Sequence, residues 1–80
     1  MDRAAILARM TVMFREIFDD DTLVLTPQTA AGDVPGWDSM NHITIVVETE
    51  RRFGVKFQTS EIEELHDVGE FISLIERKAK

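Results

Sequence analysis

No cysteine occurs among the 80 residues, which excludes a disulfide framework, a thiolate zinc site and any catalytic thiol of the protein's own. The absence fits a reducing compartment, and any thiol chemistry must be brought in from outside. Basic residues are the minority. Nine Lys and Arg face fifteen Asp and Glu, a formal net charge of -6, which excludes a general affinity for nucleic acid because phosphate binding needs clustered cations. A basic partner fits better. No apolar run reaches the length of a membrane span, and the start lacks the long apolar stretch of a signal peptide. A soluble, cytoplasmic, monomeric chain is expected.

Eighty residues leave room for one domain, 1–80, with at most two layers of helix around a small core. The acid lies in two runs, Asp19 to Asp21 and Glu61, Glu63, Glu64, Asp67 and Glu70, whereas Arg77, Lys78 and Lys80 make the end basic. Either run serves as a solvated surface or as a docking surface. The Asp run starts like a calcium loop but meets Leu23 at the next alternate position and lacks the required glycine.

Ile6, Leu7, Met10, Met13, Phe14, Ile17 and Phe18 recur at helical spacing and predict a first helix with one core face. From Asp19 to Asp38 no period holds, and both prolines and two of the four glycines fall there. This reads as a long loop pinned by Leu23, Leu25, Val34 and Trp37. Ile43 to Val47 are five consecutive β-branched residues, which favour strand. The flanks decide for helix: Asp38 as an N-cap, "ETERR" after the run, and Gly54 as a stop. The helix is placed at about Ser39 to Phe53. It carries two apolar stripes: Ile45, Val46 and Phe53 beside Thr49, and Met40, Ile43 and Val47 well round from them. The second stripe either packs on the long loop or meets another molecule.

Downstream, Val55 to Phe57 make a short extended link. Ser60 with Glu63 has capping-box spacing for a brief helix burying Ile62 and Leu65. Asp67 with Glu70 repeats the spacing before a last helix with Val68, Phe71, Ile72 and Ile75 on its core face. The expected fold is all-α: a small bundle of three main helices and one short one, with a long loop between the first two.

Ser39 stands at the positive end of the second helix, where an anion attached to its hydroxyl would be stabilised. Ser39, His42 and Asp38 lie close in sequence, but no glycine follows the serine as a nucleophile elbow requires, and so small a helical chain offers little shelter from water. His42 and His66 lack paired metal-ligand spacing and read as ordinary histidines. Attachment suits Ser39 better than turnover.

The stretch "GWDSM", followed by "ITIVVETERRFGVKF" and then "SEIEELHDVGEFISLI", resembles the acyl carrier protein family, whose signature is usually Asp-Ser-Leu. The resemblance is close over Asp33 to Ile75 and rests on pattern alone in the first helix. It implies a four-helix bundle that is not itself an enzyme. Ser39 matches the serine to which a magnesium-dependent phosphopantetheinyl transferase adds 4'-phosphopantetheine from coenzyme A, and the arm's thiol carries acyl groups as thioesters. Acyl-loading, acyl-transfer and condensing enzymes are the implied partners. Asp38 matches the aspartate beside that serine, Met40 the usual leucine at the partner interface, and Ile43 and Val47 the apolar positions of the recognition helix. Thr44 and Arg51 stand where fatty-acid-synthesis members are commonly acidic. With Glu48 and Glu50 set against Arg51 and Arg52, residues 39–53 sum to zero charge. The expectation is a carrier dedicated to one lipid, fatty acid or polyketide pathway, docking through Met40, Thr44, Val47 and Glu48, with Arg51 available for a pairing of its own. The alternatives are a peptidyl or aminoacyl carrier, or an interaction module without the prosthetic group.

Overall fold

The first helix, α1 (Arg3–Phe18), opens on Asp2, whose carboxylate accepts the Ala5 amide at 2.8 Å. It closes on Asp19, a non-glycine residue in the left-handed region at φ 52°, a conformation that Asp tolerates better than most. The computed structural model describes residues 2–79, so Lys80 of the basic end lies outside them. Ile6, Met10, Met13 and Phe14 are fully buried, while Leu7, Ile17 and Phe18 pack at the core margin.

The second helix, α2 (Ser39–Phe53), takes the bounds the flanks predicted. Asp38 accepts the Asn41 amide at 2.9 Å, and Gly54, at φ 67°, donates its amide to the Glu50 carbonyl. Burial of Ile45, Val46 and Thr49 outweighs the strand preference of the β-branched run, since the helix axis presents these side chains to α1. Thr49 is 0% exposed yet satisfied: its hydroxyl donates to the Ile45 carbonyl at 2.6 Å. Phe53 is only half-buried, beneath the Arg9 guanidinium at 4.3 Å.

The short helix, α3 (Thr59–Glu63), corrects one expectation. Its cap is Gln58, whose amide donates to the Glu61 carboxylate at 2.7 Å. Ser60 lies one residue inside the helix, so the Ser60–Glu63 spacing caps nothing. The last helix, α4 (Val68–Lys78), packs along α1 and buries Val68, Phe71, Ile72, Leu74 and Ile75.

The long loop is a built element. Leu25, Val34 and Trp37 are buried and Leu23 partly so, and a 3-10 turn, Ala31–Asp33, interrupts it. Helices leave their first amides without partners, and here the loop supplies partners for α4: Val68 donates to the Thr29 carbonyl at 2.9 Å and Gly69 to the Pro27 carbonyl at 2.8 Å. Asp67 completes the set by accepting the Glu70 amide at 2.9 Å. The strap thus fixes the middle of the loop against the start of α4. Among the described residues no helix is long and apolar enough to cross a membrane.

Candidate functional site

Ser39 owes its position to the turn before it. Pro35 and Gly36 reverse the chain, with Gly36 at φ 90° against the Phe18 ring, a conformation glycine adopts at little cost. Trp37 then anchors the segment: it is 7% exposed, and its ring meets Phe14 edge-on at 5.3 Å. Asn41 Nδ2 donates to the Gly36 carbonyl at 2.6 Å and ties the turn to the helix. Ser39 follows as the first helical residue. It is exposed, and its hydroxyl makes no hydrogen bond to any described residue. The amides of Asn41 and His42 are taken by the Asp38 carboxylate and carbonyl, which leaves those of Ser39 and Met40 facing outward at the positive helix end.

Beside Ser39 lies a cleft of about 560 Å³ with Ala31, Trp37, His42, Ile43, Ile62 and Leu65 among its lining. It runs between the loop, the start of α2 and α3. A polar cleft of about 430 Å³, which includes Arg3, Glu61, Glu70 and Arg77, sits by α4 and does not reach the serine.

The arrangement is not that of a hydrolase. His42 Nδ1 accepts from Trp37 Nε1 at 3.2 Å, so it is not oriented by Asp38, whose Oδ1 caps the helix. A base oriented by a carboxylate is what nucleophilic turnover would need.

The docking residues named from the sequence share one face. Met40, Ile43, Thr44, Val47 and Arg51 fall within an arc of roughly 100° at 100° per residue. Met40 is 82% exposed, Ile43 55% and Val47 51%, so the second apolar stripe does not pack on the loop. Glu48 is engaged within the protein. Arg51 reaches it at 2.7 Å and Arg52 at 3.0 Å, and Arg52 also holds Glu16 at 2.6 Å. Hydrogen bonds from Arg51 and then Arg52 hold the Glu48 carboxyl below the usual carboxylate range. Sequence reasoning missed the Trp37–His42 bond and the contributions of Ala31, Ile62 and Leu65 to the cleft. The spacing of His42, three residues after Ser39, was the available signal.

No protein-family model matches the sequence. An acyl carrier protein of Thermotoga maritima is 29% identical over 76 residues, spanning 95% of this chain and 94% of its own length. The solution NMR structure of a holo acyl carrier protein from Geobacter metallireducens superimposes with a TM-score of 0.84 at 39% identity, over 90% of this chain and 83% of that one. At that identity and coverage the chain belongs to the acyl carrier protein family.

Proposed function

We propose that this protein is a cytoplasmic acyl carrier whose 4'-phosphopantetheine is attached to Ser39, dedicated to one specialised lipid, fatty acid or polyketide pathway. The observation that carries the attachment is the exposed, unbonded Ser39 hydroxyl at the first position of α2. No internal hydrogen bond has to break for Oγ to form a phosphodiester. The Ser39 and Met40 amides, with the helix dipole, stabilise the resulting negative charge. When attached, the group supplies the thiol on which cargo travels as a thioester. Ile43, Ile62 and Leu65 give the neighbouring cleft an apolar wall that shelters part of an acyl chain from water.

Dedication to one pathway rests on α2. Its outward face offers Met40, Ile43 and Val47, while the nearby acid, Glu48, is neutralised by Arg51 and Arg52. A partner that relies on a basic patch gains little from such a face, and charge acts on encounter and choice more than on affinity. Incubation with coenzyme A and a promiscuous phosphopantetheinyl transferase, read by mass spectrometry, tests the attachment. Wild type gains one phosphopantetheine and Ser39→Ala none, with both equally helical by circular dichroism. Modification of the Ser39→Ala protein would refute the assignment.

A further inference from the structure

His42 lies one turn into α2 from Ser39, and helical side chains lean back toward the N-terminus. Its imidazole is held on two sides. Trp37 Nε1 lies 3.2 Å from Nδ1, and the two ring planes are 16° apart with centroids 6.2 Å apart. Because the indole N–H points in its own ring plane, Trp37 meets the imidazole along its edge. Phe71 packs against the same ring with centroids 5.9 Å apart and the planes at 65°.

The tautomer follows from the donor inventory. Indole nitrogen can only donate, so Nδ1 is the acceptor and the neutral ring carries its proton on Nε2. Nε2 has no partner among the described residues, and it is not a buried unsatisfied atom. The ring lines the cleft that contains Ser39. A fixed donor therefore stands unused one turn from the attachment hydroxyl.

We propose that His42 is a binding residue for the prosthetic arm, its Nε2–H donating to a phosphodiester oxygen of the group on Ser39. The inference rests on attachment at Ser39. The phosphodiester is favoured over a carbonyl farther along the arm because its oxygens are the first acceptors beyond Oγ, and residues three apart on a helix are neighbours. An anionic acceptor also gains more from a fixed donor than a neutral one. The Ser39 and Met40 amides bind the anion from the helix end, and His42 binds it from the side. Trp37 acts as a positioning residue, since it sets the tautomer without touching the arm.

NMR of uniformly ¹⁵N-labelled apo and holo protein tests this, with loading confirmed by mass. In apo protein His42 gives an unprotonated Nδ1 and a protonated Nε2. In holo protein the His42 Hε2 signal persists, its solvent exchange slowed about tenfold by the charge-assisted bond. The ³¹P signal of the phosphodiester moves in holo His42→Ala and in holo His42→Gln, with unchanged circular dichroism. In holo Trp37→Phe both tautomers appear and protection falls. An unmoved ³¹P signal with Hε2 exchanging as in apo protein overturns the proposal. Protection of Hε2 accompanied by shifts of an arm amide rather than of ³¹P overturns it in favour of a carbonyl acceptor. If Ser39→Ala loads as wild type does, the attachment reading fails first. An apo protein with the proton on Nδ1 defeats the His42 assignment alone.

Discussion

At Gly69 the absence of a side chain is a requirement of contact. A Cβ there would lie 2.8 Å from the Pro27 carbonyl oxygen, the same atom that accepts the Gly69 amide. Gly69→Ala must therefore displace the strap or lose that bond, and the better helix propensity of alanine offsets only part of the cost. The expected loss is about 1 to 2 kcal/mol, which lowers Tm by roughly 5 to 15 °C in a domain of this size. A thermal melt that matches the wild type would show that the strap does not hold the loop. The aromatic residues give a graded series. Phe14 and Phe71 are 0% exposed, so truncation to Ala costs about 3 to 5 kcal/mol each. Phe53, half-buried under Arg9, costs distinctly less. The apolar period placed all three on core faces, but it could not show that a cation would cover one of them. Urea unfolding of the three variants checks the order.

Across elements, legibility in the sequence followed how local the cause was. Asp38 and Gly54 sit at the ends of α2 and act within one turn, so both bounds could be read directly. The cap of α3 is not legible in the sequence because Gln58 contributes its backbone amide to Glu61, and a backbone donor leaves no residue-type signature as a capping serine such as Ser60 would. The strap from Pro27 and Thr29 to Gly69 and Val68 joins residues about forty apart in sequence, and no local pattern records that pairing. Ser39 was legible for the same reason as α2: its display depends on the turn and cap immediately before it. The outward face of α2 gives the element-scale prediction. Thr44→Glu and Arg51→Glu are both at exposed positions, so the double variant should melt within about 0.5 kcal/mol of the parent. Arg52 still holds Glu48 in that variant, yet the face turns acidic. Malonyl transfer to holo protein by a housekeeping transacylase should rise at low salt and lose that gain as salt is added. Equal rates for parent and variant at low salt would remove charge as the basis of partner choice.

For the whole molecule, the acidic excess and the surface ion pairs respond to solution conditions in opposite ways. Arg51 and Arg52 hold Glu48 by contacts of about 3 Å, the Gln58 amide and Lys78 hold Glu61, and Thr22 holds Asp20 by two hydrogen bonds. The Arg51 guanidinium lowers the carboxyl pKa of Glu48, the Gln58 amide that of Glu61 and the Thr22 hydroxyl that of Asp20. A carboxylate that titrates lower when folded binds fewer protons in the native state than in the unfolded one. Stability from these three groups is therefore complete above the ordinary carboxylate range and drains away as pH falls through their lowered values. Each contribution is small because the groups face solvent. The repulsion arising from the net charge of -6 acts over longer distances, and salt near physiological strength screens separations beyond about 8 Å while leaving contact pairs largely intact. At pH 7, raising salt from about 10 mM to about 200 mM should thus raise Tm. At low pH the order of effects changes. Below about pH 4 the three carboxylates take up protons and Tm falls, and because these contacts are lost to protonation, added salt does not restore them. Glu48→Gln with Glu61→Gln should flatten the acid limb while lowering Tm slightly at pH 7. Calorimetry over a grid of pH and salt reads both effects. An acid limb as steep in the double variant as in the parent would assign acid lability to other carboxylates and leave these ion pairs without a role in stability.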